Sequence, residues 1–278
     1  MATYRVLIDA NDAKGLVYKI SKIFYENNLN IITNNEFVDK VNNKFFMRSV
    51  VDGEIEKETL RDELLKELPS KATLQVLEPK KKNIVLMATK EMHALGDILI
   101  RHEAGELEAN ILGVISNYDT LKPLVEKFDI PFVTLSHENL TRAEHEEKIL
   151  AELEKFEHID YIVLAKYMRI LTPSFVEHFE NKIINIHHSF LPAFIGANPY
   201  KQAYDRGVKI IGATAHFVNN NLDEGPIIAQ DTAEINHAYS WRDMQRLGRD
   251  VEKVVLSHAL KLALEDRIFV YANKTVIF

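Results

Sequence analysis

Hydrophobic and polar positions alternate with two different periods in the first third of the chain. Period-two runs predict strands, whereas apolar residues three and four apart predict amphipathic helices. Leu16, Ile20 and Phe24, for example, fall on one stripe of the first such helix. The predicted elements are a strand at 4–10, a helix at 12–27, strands at 30–37 and 44–51, a helix at 54–68 and a strand at 72–77. This βαββαβ order predicts a ferredoxin-like domain.

A charged break at residues 78–82 precedes a second pattern, in which short apolar runs alternate with helical periodicity. That alternation is typical of a doubly wound, mostly parallel sheet. Strands are predicted at 83–88, 109–115, 131–135, 160–165, 183–188 and 210–218, with a long helix at 240–264 and one or two strands at 268–278. The prediction is an α/β protein of two domains, at 1–80 and 83–278.

Two polar side chains share one face of the predicted strand at 183–188. Asn185 and His187 point the same way because they are two apart, and His188 is expected on the opposite face. An amide donates hydrogen bonds, and an imidazole titrates at about 6.5 when unperturbed. Together they suit a developing oxyanion. Pro192 has no amide hydrogen to donate to a neighbouring strand, so the predicted strand ends before it. In α/β folds, binding and active sites lie at such strand ends.

A carboxylate follows the next predicted strand. Asp223 lies among the turn formers at 219–226, directly after the strand at 210–218. Near His187 it would favour the imidazolium and could pass a proton through water. Taken alone, each of these residues is more often structural, and spacing does not show proximity. His216 is either a neighbour that supports the site or a buried structural histidine.

Taken together, residues 185–230 resemble the formyltransferase-fold family that uses 10-formyltetrahydrofolate, through the motifs Asn-x-His and Leu-Asp-x-Gly-Pro. The resemblance implies that Asn185 and His187 bind and polarise the formyl oxygen and that Asp223 assists proton transfer. Residues 164–171 resemble the segment that lines the family's pterin pocket, although Ile170 and Leu171 could equally be ordinary core. The substrate-binding residues implied in this way are Met168, Arg169, Ile170, Leu171, His188, Gly196 and Asn219.

The branch of the family depends on the turn after the strand at 83–88. A glycine- and serine-rich turn there would cradle the phosphate of a ribonucleotide acceptor. Residues 89–97 are bulky and include acids, which leaves water as the expected acceptor. The chain therefore most resembles the formyltetrahydrofolate deformylases, and the doubled His187-His188 fits the same choice. The resemblance implies hydrolysis of 10-formyltetrahydrofolate to tetrahydrofolate and formate for purine biosynthesis. Formyl transfer to a small amine, or a non-catalytic sensor of folate and amino acid, remains an alternative.

The first domain resembles an ACT domain through the turn at 12–17 and the pairs Asn30-Ile31 and Phe45-Phe46. Domains of this type usually bind amino acids and pair edge to edge. The resemblance therefore implies an amino-acid effector and a homo-oligomer, or a module that serves oligomerisation alone.

Composition narrows the remaining classes of function. The 278 residues include no cysteine, which excludes disulfides and thiolate sites and makes the cytoplasm the expected compartment. A formal charge of −7 and the lack of a long apolar run disfavour nucleic acid and membrane partners. No cofactor is expected, because the folate is the substrate. A metal held by His187, His188, His216 and Asp223 is disfavoured, because the first two are expected on opposite faces.

Overall fold

A computed structural model describes residues 2–193 and 198–278, and the chain divides into two compact units. The first unit comprises Met1–Lys80, Glu265–Tyr271 and Val276–Phe278, and the second comprises Lys81–Leu264 and Ala272–Thr275. None of the described helices is both long and apolar enough to cross a membrane.

The first unit is built on a four-stranded antiparallel sheet of order β2-β3-β1-β4. Its elements are β1 (Ala2–Asn11), α1 (Leu16–Glu26), β2 (Asn30–Asp39), β3 (Lys44–Gly53), α2 (Lys57–Glu67) and β4 (Thr73–Leu77). The predicted βαββαβ order is confirmed. The first helix begins at Leu16 rather than at Asp12, because Gly15 adopts a left-handed conformation with φ of 86°.

Strand alternation gives this sheet two apolar faces. On one, Val6 and Ile8 of β1 are fully buried against Ile20 and Phe24 of α1. On the other, Phe46 is covered by a C-terminal hairpin of β12 (Ile268–Tyr271) and β13 (Lys274–Ile277). The predicted second domain ran to residue 278, whereas 265–271 and 276–278 belong to the first unit because their aromatic side chains cover this second face.

The second unit contains a seven-stranded sheet of order β11-β10-β9-β8-β5-β6-β7. Its strands are β5 (Lys82–Ala88), β6 (Ala109–Ser116), β7 (Phe132–Thr134), β8 (Tyr161–Leu164), β9 (Ile183–His187), β10 (Ile210–Phe217) and β11 (Ile227–Glu234). Its helices are α3 (His93–Glu103), α4 (Lys122–Val125), α5 (Arg142–Leu153), α6 (Pro173–Glu177), α7 (Pro199–Arg206) and α8 (Trp241–Leu264).

Strands β5 to β9 pair in parallel, whereas β10 and β11 are antiparallel to their neighbours. The mostly parallel sheet is therefore confirmed, and β11 is a strand that the sequence pattern did not predict. The central strands are apolar throughout because both of their faces are buried, as Ile84, Val85 and Leu86 of β5 show. Strand β6 lies on one side of β5 and β8 lies on the other, so the order of the strands along the chain reverses at β5. A reversal of this kind leaves a crevice at the carboxyl ends of the strands.

Candidate active site

A cavity of about 460 Å³ opens in the second unit where β8 and β9 end. Almost every residue proposed from the sequence lines it. The predicted catalytic residues in its wall are Asn185, His187 and Asp223, and the predicted binding residues are Met168, Arg169, Ile170, Leu171, His188 and Asn219. Gly196 lies outside the described residues. Met168 and Ile170 are 59% and 49% exposed, so they line the cavity rather than belong to the core.

Asn185 is positioned by strand pairing. It lies directly opposite His216 in the antiparallel register of β9 and β10, so both side chains project from the same face. The Nδ2 of Asn185 is 3.2 Å from Nε2 of His216, and Nδ1 of His216 donates to the carbonyl of Phe217 at 2.9 Å. Because a carbonyl can only accept, the proton of this imidazole lies on Nδ1, and Nε2 accepts from the asparagine amide.

His187 is held by the aspartate. Its Nδ1 lies 3.3 Å from Oδ1 of Asp223, and its side chain is only 6% exposed. Its other nitrogen, Nε2, is buried and has no hydrogen-bond partner among residues 2–193 and 198–278. Buried polar atoms are rarely left unpaired, so an orphaned nitrogen in a cavity wall indicates that a ligand completes the site. The nitrogen suits a substrate oxygen.

The loop that carries Asp223 is fixed by close approach to the preceding strand. Asp223 itself has a left-handed φ of 57°, which aspartate tolerates better than most residues. A Cβ on Gly225 would lie 1.7 Å from the carbonyl oxygen of Phe217, so only glycine fits there. The amide of Phe217 donates to the carbonyl of Pro226 at 2.9 Å. The Leu-Asp-x-Gly-Pro motif therefore has a steric cause.

The charges of the site favour an ionised aspartate. Burial by itself would raise the pKa of Asp223, but the hydrogen bond from His187 and the nearby imidazoles hold it below its usual value. Burial lowers the pKa of His216, which keeps that ring neutral and able to accept from Asn185.

The expected placement of His187 and His188 on opposite faces is wrong. Strand β9 ends at His187, so alternation no longer governs the next side chain, and both rings line the cavity with centroids 5.1 Å apart. Burial, with the charges of Lys166 and His187, lowers the pKa of His188 to about 4, so this ring is neutral at neutral pH. The described residues contain no group of three or more histidine, aspartate or glutamate side chains arranged to hold a metal ion.

The turn after His188 is anchored from β10 and β11. The hydroxyl of buried Thr214 donates to the carbonyl of Ser189 at 2.9 Å and accepts from the amide of Leu191 at 3.0 Å. Gln230 donates to Thr214 at 2.9 Å and to the carbonyl of Leu191 at 3.0 Å. These bonds fix the backbone that follows the two histidines.

Several lining residues were not predicted. Lys166 lies two residues after the end of β8, where a strand-end argument could have found it. Asn220 and Leu222 share the loop of Asp223, so their place follows from that of the aspartate. Arg142 comes from the start of α5, and no sequence signal connects it with the cavity.

Comparisons with known proteins agree with this geometry. A family model described as formyl transferase matches residues 82–260. The formyltetrahydrofolate deformylase of Haemophilus influenzae is 54% identical over 272 residues, covering 98% of this chain and 98% of that protein. The crystal structure of a formyltetrahydrofolate deformylase from Pseudomonas syringae pv. tomato has a TM-score of 0.95 at 38% identity, covering 100% of this chain and 95% of that one. The chain belongs to the formyltetrahydrofolate deformylase family.

A transferase structure is similar over a smaller part of the chain. Glycinamide ribonucleotide transformylase 1 from Symbiobacterium toebii has a TM-score of 0.68 at 26% identity and covers 71% of this chain. The deformylase match extends over the whole chain, including the first unit. The predicted assignment to the deformylase branch is confirmed.

Proposed function

We propose that this protein hydrolyses 10-formyltetrahydrofolate to tetrahydrofolate and formate. The observation that carries the proposal is the buried Nε2 of His187, which has no partner among the described residues and belongs to a ring that Asp223 holds from the other side. Asn185 lines the same cavity with its amide held by His216. The relatives, which are named formyltetrahydrofolate deformylase, support the same reaction and do not favour transfer to an amine.

In the proposed mechanism, the oxygen of a water molecule bonds to the formyl carbon while the carbonyl electrons move onto the formyl oxygen. Asn185 and protonated His187 donate hydrogen bonds to that oxygen as its charge develops. The ion pair with His187 uses Oδ1 of Asp223, so Oδ2 is left to orient the water and accept its proton. Collapse breaks the bond between the formyl carbon and N10 of the folate. N10 takes the proton from Asp223, and formic acid leaves and ionises.

The folate occupies the first cavity in this proposal. Its flat pterin ring suits a wall that combines the apolar Ile170 and Leu171 with polar groups from Arg169 and Asn219. Met168 and His188 complete the wall next to the formyl group. Gly196 remains a predicted binding residue.

We propose that the reaction needs no resident metal or cofactor, and dialysis against a strong chelator is expected to leave turnover unchanged. Loss of activity that added zinc restores would contradict this.

The direct test is an assay of purified protein with 10-formyltetrahydrofolate in buffer that contains no amine. Formate and tetrahydrofolate are expected in equal amounts. If tetrahydrofolate appeared only after a small amine was added, together with an equal amount of formylated amine and no formate, the protein would be a transferase. Tight folate binding without turnover under either condition would indicate a sensor.

We also propose that the first unit is an ACT-like regulatory domain that binds an amino acid and assembles the protein into a homo-oligomer. Its βαββαβ order and the left-handed Gly15 at the start of α1 support this role, as does β2, most of whose residues are exposed at the sheet edge. Individual amino acids are expected to change the rate of formate release, and sedimentation is expected to give a multiple of 32.0 kDa. An unresponsive monomer would contradict both proposals.

The proposed setting is the cytoplasm, where formate released from the folate would supply purine biosynthesis. A chain of 278 residues without cysteine is compatible with a reducing compartment. Fractionation of cells that produce the protein tests the compartment. A purine requirement that formate relieves in cells lacking the gene tests the metabolic role.

A further inference from the structure

A second cavity of about 370 Å³ adjoins the first one within the second unit. The two cavities share Lys166, Met168 and His188. These three residues therefore mark the junction between them, and His188 is next to His187, whose ring is 5.1 Å away. The second cavity opens beside the position where the formyl group reacts.

A buried ionic cluster lies at this junction. The carboxylate of Glu252 is fully buried, accepts from the hydroxyl of Tyr200 at 2.6 Å, and lies 2.8 Å from Nε2 of His93 and 3.2 Å from Nζ of Lys166. Burial would raise the pKa of Glu252, but the hydrogen bonds from His93 and Tyr200 and the charge of Lys166 lower it to about 2. A Cβ on Gly248 would lie 2.1 Å from the hydroxyl oxygen of Tyr200, so this glycine allows the tyrosine to reach the carboxylate.

The remaining charges of the second cavity do not balance. Its other acid, Glu91, is paired with Arg249 at 3.2 Å. Lys201 on α7 also lines the cavity and is exposed. Within the described part of the chain, no acidic side chain forms an ion pair with Lys201. With both acids neutralised by other cations, Lys201 leaves the second cavity with a net positive charge, which attracts a small anion.

We propose that the second cavity binds the formate product and forms its route of release, separate from the cavity that holds the folate. The inference rests on the proposed hydrolysis, which creates a carboxylate beside His187. The bulky folate fills the first cavity, so the path that remains for a small anion passes Lys166 and His188 towards Lys201. No covalent bond forms or breaks in this step, because formate only leaves the groups beside His187 and binds those that line the second cavity.

A site of this kind predicts a specific pattern of product inhibition. Formate in the second cavity can bind while the formyl-folate occupies the first, and it blocks release of newly formed formate. Added sodium formate should therefore lower kcat and leave KM for 10-formyltetrahydrofolate nearly unchanged. Formate that instead bound at Asn185 and His187 would compete with the substrate and raise KM alone.

The experiment measures initial rates of tetrahydrofolate formation at several concentrations of substrate and of sodium formate, with sodium chloride holding the ionic strength constant. Lys201→Gln should raise the formate inhibition constant by about three- to tenfold, because it removes one charge-assisted contact. Lys209→Gln, at an exposed lysine that does not line the cavity, is the matched control and should change neither the inhibition constant nor the rate.

Three results would overturn the formate site while leaving hydrolysis intact. They are purely competitive inhibition, the absence of inhibition at every formate concentration that the assay tolerates, and noncompetitive inhibition that Lys201→Gln leaves unchanged. Failure of the proposed hydrolysis would be seen separately, as the absence of tetrahydrofolate formation in the sample without added formate.

Discussion

Asn185 and His216 face each other across antiparallel strands, and the asparagine amide donates to Nε2 of the histidine over 3.2 Å. The histidine can accept because its own proton is committed to the carbonyl of Phe217 at 2.9 Å. One imidazole, buried and neutral, therefore fixes the direction of the amide that lies beside His187 in the cavity wall. We therefore propose that His216 acts through Asn185 as a positioning residue.

Replacing His216 with an apolar residue of similar size should slow turnover without weakening folate binding. His216→Leu is expected to lower kcat about tenfold to a hundredfold, because the freed amide no longer points at the developing oxyanion. His216→Gln keeps an acceptor oxygen and should recover part of that loss. Steady-state kinetics with folding checked by circular dichroism provide the measurement. Equal losses in both variants, or a change in KM alone, would count against positioning.

Asp223→Asn should remove nearly all turnover while folate binding persists. The amide keeps the size of the side chain but cannot accept the proton of the attacking water. The loss of a general base usually lowers the rate by a factor of about 10² to 10⁴. Glu224→Gln, at the exposed neighbouring acid, is the control and should keep the wild-type rate. Turnover of Asp223→Asn near that of the control would remove the aspartate from the mechanism.

Gly225→Ala should affect catalysis through the backbone. The added Cβ would meet the carbonyl oxygen of Phe217 at 1.7 Å, so the loop that carries Asp223 must shift and the position of its carboxylate relative to His187 must change. A fall in kcat of about 10²-fold is expected, since small misplacements at a reacting centre are costly. Gly105→Ala is the control, because its φ of +73° strains alanine but no atom lies within 4 Å. That variant should lose about 1 kcal/mol of stability and keep its activity. Similar activities in both variants would contradict the steric explanation.

Glu252→Gln should destabilise the second unit at neutral pH. It leaves the ammonium of Lys166 buried without its carboxylate, a change that typically costs about 3 kcal/mol in the free energy of unfolding. The folded pKa of Glu252 lies near 2, below the ordinary 4.5, so its stabilising contribution is present above 4.5 and is lost as the pH falls towards 2. Urea unfolding at several pH values should therefore show the variant and the wild type converging in acid. Glu58→Gln, at a surface ion pair with Arg61, is the control. A difference in unfolding free energy between Glu252→Gln and the wild type that stayed constant with pH would contradict the stabilising role of the Glu252 carboxylate.

The sequence predicted the elements of the fold better than their tertiary partners. Periodicity found the strands of both sheets except β11, where Ile227–Glu234 mixes polar and apolar positions because half of the strand is exposed. It could not show that the hairpin at the chain end covers Phe46, because nothing local to Phe269 or Tyr271 indicates which sheet they meet.

The same limit applies to the site. Motifs carried by short segments, such as Asn-x-His, were readable, and strand ends pointed to the correct edge of the sheet. The pairing of Asn185 with His216 depends on the register of β9 and β10, and the proximity of His187 and His188 depends on where β9 stops. The cluster around Glu252 gathers side chains from α3, α7 and α8 and from the segment after β8, which no local pattern connects.

The most direct test of the central claim is to run the reaction in ¹⁸O-labelled water without an amine and to analyse the formate by mass spectrometry. If water attacks the formyl carbon beside Asn185, His187 and Asp223, each formate carries one oxygen from the solvent, and Asp223→Asn forms almost none. Formate without solvent oxygen, or label incorporation that is equally fast in Asp223→Asn, would contradict the account.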